Sequence, residues 1–275
     1  MNLSNIREGV LKKIFDELEE AFSATGTDFY VIGALAKDVW YARGNKSMRQ
    51  TKDVDFAVLV SSEENYEKIR QYLKTNKNFA DTSTNSFVMF SDSGVQVDIL
   101  PFGGIEIDEG VHIEGEGLTQ INVNGFVEVY RAGTSDIELP TGHHFKIATL
   151  PAIILLKLIA FDDRPEHRIK DARDIAGIIN HFFDLQADLI YQEHADLFAD
   201  EKDTRTSQEI SAIVIGREIK KICATNDVLL HRLKQILQTH ITMKDRSIFI
   251  RNMVIELYET VETAIRYLQH MLEAM

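Results

Sequence analysis

The stretch Thr51-Lys52-Asp53-Val54-Asp55-Phe56-Ala57-Val58-Leu59-Val60 constrains this chain more than any other. Its aliphatic, β-branched and aromatic residues run to Ser61-Ser62, which reads as a strand and its stop. Side chains alternate along a strand, so Asp53 and Asp55 point to one side. Carboxylates held that close repel unless a cation joins them, and a hard divalent ion bound by oxygens is the usual one. A solvated strand edge would tolerate the pair as well, so the neighbouring residues decide between the two.

Upstream, Phe29-Tyr30-Val31-Ile32 is an apolar strand that ends at Gly33-Ala34, and Leu35 to Ala42 reads as a short helix. Small residues at a strand-to-helix turn let backbone N–H groups approach a phosphate, with the helix N-terminus behind them. Downstream, Val95 to Leu100 is a strand carrying Asp98 amid apolar residues. A lone acid there is costly without a partner, and a metal shared with Asp53 and Asp55 would supply one. Arg43, Lys46, Arg49 and Lys52 lie in the polar stretch between turn and acids, either facing an anionic substrate or simply solvated.

With 275 residues, the chain is long enough for two modest domains with their own cores. Its 4 Pro and 15 Gly leave little room for long flexible linkers. Cys223 is the 1 Cys, so no internal disulfide forms; this fits a reducing cytoplasm. No basic-then-apolar leader opens the sequence, and no apolar run is long enough to span a bilayer, so no membrane role is expected. A net charge of −13 argues against broad non-specific nucleic-acid binding but leaves room for a local basic patch.

Along the chain, Ser4 or Asn5 is expected to cap a first helix with Ile6, Val10, Ile14, Phe15, Leu18 and Phe22 on one face. Glu63 to Asn76 reads as a second amphipathic helix, and Phe87–Phe90 with Val95–Leu100 as a hairpin. Pro101-Phe102-Gly103-Gly104 is expected to break the strand pattern, and residues from Ile105 to Gly125 to form an irregular or β-rich insertion. Val127–Tyr130, Ile137–Leu139 and Phe145–Ile147 read as short strands. The period changes at Leu150, and Pro151 opens a helix through Phe161. Ala187 to Gln208, with His194, reads as a solvated acidic face, while Ile210–Cys223, Asp227–His240 and Lys244–Leu272 are amphipathic in the manner of a bundle.

A second constellation sits at that change of period. Lys157 is a single cation inside an apolar helix, either snorkelling to water or neutralising phosphates. Beyond it, Asp171 and Asp174 are three residues apart, on one helical face, among Arg168, Lys170 and Arg173.

The order of strand, small-residue turn, helix, Asp-x-Asp strand and single-Asp strand resembles the nucleotidyltransferase (polymerase-β-like) superfamily. The resemblance implies an α+β fold, a nucleotidyltransferase-fold mixed sheet with helices over residues 1–149, followed by an α-helical bundle domain over 150–275. The later Lys and the basic Asp-x-x-Asp helix resemble the AbiEii and MenT-type nucleotidyltransferases of type IV toxin–antitoxin systems. Carried over, Gly33-Ala34 is the turn, Asp53 and Asp55 the metal pair, Lys157 the lysine, and Asp171 or Asp174 the last acid. Ala34 stands where the family usually has Gly or Ser.

What this implies is metal-dependent transfer of NMP from an NTP to an acceptor hydroxyl, with RNA (tRNA) as acceptor. Mg²⁺ or Mn²⁺ would sit on Asp53, Asp55 and Asp98, and a cognate antitoxin would be a partner. Gly33, Ala34, Lys37 and Lys52 are then the candidate nucleotide-binding residues, and Asp53, Asp55, Asp98, Lys157, Asp171 and Asp174 the candidate catalytic ones. Gly33 to Trp40 also looks like the opening of CCA-adding enzymes, with Lys37-Asp38 in place of their Arg-Asp, but no Arg-Arg-Asp-Phe-Thr stretch follows. Two alternatives share the same residues: a small-molecule nucleotidyltransferase of the aminoglycoside-modifying kind, and a decayed nucleotidyltransferase-fold binding protein.

Overall fold

The computed structural model describes residues 8–44, 53–199 and 204–275. They fall into two units, one ending at Thr149 and one starting at Leu150, with Arg131–Gly133 grouped with the second. In chain order the first part contains α1 (Glu8–Thr25), β1 (Asp28–Val31), α2 (Gly33–Arg43), β2 (Asp53–Leu59), α3 (Glu63–Lys77), β3 (Ala80–Asp81), β4 (Val88–Phe90) and β5 (Gln96–Phe102). It continues with β6 (Gly110–His112), β7 (Gln120–Asn122), α4 (Phe126–Ala132), β8 (Thr134–Glu138) and β9 (His144–Ala148).

Seven of these strands form one mixed sheet in the order β3-β4-β5-β2-β1-β9-β8, and β6 with β7 forms a separate ribbon. β2 runs parallel to β5 and β1 parallel to β9, while β1 and β2 are antiparallel. The core follows from period-2 alternation. Phe29, Phe56 and Phe145 meet α1 through Phe15 and Phe22, with Phe15–Phe145 centroids at 5.4 Å and Phe29–Phe145 at 5.1 Å. Each such edge or tilted ring pair contributes about 0.5–1.5 kcal/mol beyond its buried area. The next residue, Tyr30, faces the other way, packs on Phe102 and donates its hydroxyl to Phe126 O at 3.1 Å. Tyr66 on α3 donates to Ile99 O at 2.8 Å, satisfying the one polar atom of a fully buried ring.

In α1, Leu11, Ile14, Phe15, Leu18, Ala21 and Phe22 are buried at helical spacing. The expected cap at Ser4 or Asn5 lies outside the described residues, as does Ile6. Two expectations for this part are corrected. Val127–Tyr130 is helical, not a strand: Gly125, at φ +88, turns the chain, and Phe126 and Val129 then bury on one helical face. The alternation of Val127 and Val129 mimicked a strand over too few residues to separate the two periods.

Pro101 does not end β5, which continues to Phe102. Ile99 donates its N–H toward β4, at Phe87 O, while Phe102 O accepts from Val60 beyond β2. Alternation therefore aims the imino nitrogen of Pro101 to the β4 side, past the end of that strand, where no ladder bond is lost.

The second part is helical: α5 (Leu150–Asp163), α6 (Ile169–Leu185), α7 (Ala187–Glu193), a 3-10 turn at Ala195–Phe198, α8 (Ser207–Ile222), α9 (Asp227–Met243), a 3-10 turn at Lys244–Arg246, α10 (Ile248–Leu257) and α11 (Val261–Ala274). Nine residues of α5 are buried, all round the helix, which makes it the centre of the bundle. α8 starts with a capping box in which the Thr206 hydroxyl accepts from Glu209 N–H and the Glu209 carboxylate accepts from Thr206 N–H.

The amphipathic run Lys244–Leu272 is two helices, not one. Tyr258 takes a left-handed conformation, φ +57, and Thr260 caps the next helix. Nor is the acidic stretch from Ala187 wholly solvated, since His194 is 2% exposed. No helix among the described residues is long and apolar enough to cross a membrane.

Candidate active site

β1 delivers the chain to a turn whose geometry only glycine satisfies. Ile32 N–H donates to Asp55 O at 3.0 Å, and Gly33 follows at φ +64 and opens α2. A Cβ on Gly33 would lie 2.8 Å from Asp55 Cγ and overlap the carboxylate itself. The backbone of the turn and the Asp55 side chain are thus packed directly together. α2 has no side-chain cap at Ile32 and no acid in its first turn. Its N-terminal amides and the positive end of its dipole are therefore presented as an anion site.

Asp53 opens β2 opposite Gln96 of β5, and Asp55 stands opposite Asp98 in the same parallel register. Neighbouring strands lie about 4.8 Å apart, so in-register carboxylates on one face are near neighbours. Asp55 and Asp98 are both half-buried. Hard oxygen donors in register on adjacent strands, one of them packed against a glycine turn, are of the kind a divalent cation takes. Gln96 Nε2 donates to Asp98 Oδ1 at 2.8 Å and fixes the orientation of that carboxylate. Gln96 was missed from the sequence, although its i, i+2 spacing from Asp98 on a strand was a usable signal.

Ala34 and Lys37 lie on α2, half-buried, and Trp40 Nε1 donates to Ala148 O at 2.8 Å to tie that helix to β9. Lys52 lies outside the described residues.

In the second unit Lys157, Asp171 and Asp174 come together. Lys157 Nζ lies 2.6 Å from Asp171 Oδ1 and 2.8 Å from Asp174 Oδ2, with side-chain exposures of 15%, 7% and 20%. Lys157 therefore does not snorkel. Burial works against its charge, but the Asp171 and Asp174 carboxylates outweigh that and hold its pKa above the ordinary lysine value. Asp171 Oδ2 is buried with no hydrogen bond, and the Arg168 guanidinium approaches it only to 4.0 Å. Arg173 turns instead to Asn252 Oδ1 on α10, at 3.0 Å.

A family model described as the nucleotidyl transferase AbiEii toxin of type IV TA systems matches residues 16–263. No curated protein matches the sequence. Among solved structures, the antibiotic-resistance factor ANT(2'')-Ia is similar at 13% identity and a TM-score of 0.39, over 68% of this chain and 95% of that one. The match of the family model runs through the glycine turn, the Asp-x-Asp strand, the Asp98 strand and the Lys157 helix pair alike: the chain is a nucleotidyltransferase and belongs to the AbiEii toxin family.

Proposed function

We propose that this nucleotidyltransferase moves NMP from an NTP to a hydroxyl of RNA, with tRNA as the first acceptor to test, and that a divalent metal is required. The observation that carries this reading is the in-register pair Asp55–Asp98, set against a turn where a Cβ on Gly33 would strike Asp55. Asp53, Asp55 and Asp98 would hold Mg²⁺ or Mn²⁺. Bound there, the metal supplies charge neutralisation at the triphosphate and at the attacking and leaving oxygens.

The chain's own residues do the rest. Amides of Gly33 and Ala34, backed by the α2 dipole, bind phosphate oxygens and hold the α-phosphorus in line. Asp98, oriented by Gln96, draws the proton from the acceptor hydroxyl as the new P–O bond forms and pyrophosphate leaves. The resemblance to the family assigns Lys157 to charge stabilisation on the phosphates, and Asp171 with Asp174 keeps its ammonium charged. Residues 1–149 are the catalytic domain in this reading and 150–275 a helical domain. An antitoxin is the expected protein partner.

Purified protein with Mg²⁺ and each labelled NTP is offered total tRNA and, separately, small cationic molecules, in parallel with Asp55→Asn. The expected result is label on RNA that the variant and chelation both abolish. Label on RNA that survives Asp55→Asn would remove the site assignment, and label found only on small cationic molecules would remove RNA as acceptor.

A further inference from the structure

A second cluster lies where α7 meets α8. The carboxylates of Glu193 and Glu218 and the imidazole of His194 place one ligand atom each within 4.8 Å of the others. His194 Nε2 is 3.1 Å from Glu218 Oε1, and the ring is 2% exposed. A cation already sits on both carboxylates: Lys221 Nζ is 2.9 Å from Glu193 Oε2 and 2.6 Å from Glu218 Oε1. The ammonium marks the point where these groups stabilise positive charge.

Lys221 fills that point incompletely. Two carboxylates and a neutral imidazole carry two negative charges, and one ammonium cancels half of them. A dication would cancel both. Lys221 is 53% exposed, so it can leave for water with little desolvation to reverse, and Glu193, at 56%, leaves an open path in. The imidazole sets the choice of ion, because a nitrogen beside two carboxylates suits Zn²⁺ rather than Mg²⁺.

Arg217 Nη1 faces His194 Nδ1 at 3.4 Å, so Nδ1 accepts and Nε2–H donates to Glu218 in the metal-free protein. Arg217 is anchored elsewhere, forked onto Asp196 at 2.8 and 2.7 Å. Moving the imidazole proton from Nε2 to Nδ1 frees Nε2 as a ligand; it gives up the long Arg217 contact and the hydrogen bond to Glu218, whose carboxylate would bind the same ion.

We propose that Glu193, His194 and Glu218 form a metal site that takes Zn²⁺ in exchange for the Lys221 ammonium, with water completing the tetrahedron. Metal would then clamp α7 to α8 from residues that share nothing with the sheet carboxylates.

The full-length protein, stripped with chelator, is titrated with Zn²⁺ by calorimetry and melted with and without it. Wild type should bind one Zn²⁺ more than His194→Gln, and Glu218→Gln should lose the same equivalent. That second variant keeps His194 hydrogen-bonded through its amide, so loss in both is not a folding effect; melts without zinc check this directly. Lys221→Ala should bind at the same site about tenfold more tightly, because the competing charge is gone. Equal zinc stoichiometry in wild type and either ligand variant would overturn the site. So would unchanged or weaker binding by Lys221→Ala, which would leave the cluster a simple ion-pair strap.

Discussion

Lys157 holds Asp171 at 2.6 Å and Asp174 at 2.8 Å, so one buried ammonium is shared by two carboxylates a helical turn apart. Removing it takes the shared ammonium from both acids, whose side chains are only 7% and 20% exposed. Lys157→Met should cost about 3 kcal/mol in chemical denaturation at neutral pH, the usual penalty for half of a broken buried pair. Adding Asp171→Asn and Asp174→Asn should restore most of that loss while transfer stays abolished, which separates the stabilising role of Lys157 from its proposed role on phosphate.

The same triad sets an alkaline limit. Folding raises the Lys157 pKa, because the two Asp carboxylates outweigh burial. The folded state thus holds this proton more tightly than the unfolded chain. Its stabilisation is complete below the ordinary lysine pKa of about 10.4 and fades as pH rises through the higher folded value. Melting temperature followed upward from about one unit below the ordinary lysine pKa should fall more steeply in wild type than in the triple variant.

Gly33→Ala combines a left-handed backbone, φ +64, with a Cβ that overlaps Asp55. The strain costs about 1–2 kcal/mol, and the displaced carboxylate should lower kcat by about a hundredfold, since small misplacements of reacting groups have effects of that size. Ala34→Ser, one residue on, should fold normally and lower the KM for NTP by about threefold, as one hydroxyl hydrogen bond to phosphate would. Steady-state transfer kinetics and a melting curve on the two variants decide both points.

Gln96 touches Asp98 at 2.8 Å and should act by orienting it. Gln96→Ala is expected to cost about tenfold in kcat, in the range for groups that orient metal ligands, with little change in melting temperature. A shift in the metal concentration needed for half-maximal rate should accompany it. A purely structural role would leave that midpoint where it was.

Much of the fold was legible in the sequence because its signals are local. The alternation around Val54, Phe56 and Val58 marks β2, and the spacing of Leu11, Ile14, Leu18 and Phe22 marks α1. Asp53, Asp55 and Asp98 were legible as acids on strands, and Gly33 as a turn. The errors fell where the local signal was short or two-sided. Val127–Tyr130 offered four residues, too few to tell a period of 2 from one of 3.6. Pro101 looked like a strand end because its cost depends on which neighbour its nitrogen faces, and that is a property of the sheet.

By itself, then, the sequence determined which residues are apolar, where the chain turns, and which acids and lysines sit on which elements. Only the tertiary structure decided their partners. The β2–β5 register puts Asp55 beside Asp98, packing of α5 on α6 closes two carboxylates around Lys157, and burial at α8 turns His194 from a surface residue into a partner of Glu218. Those pairings join residues far apart in the chain. Their energies depend on register, distance and exclusion of water, none of which a local pattern of residue types encodes.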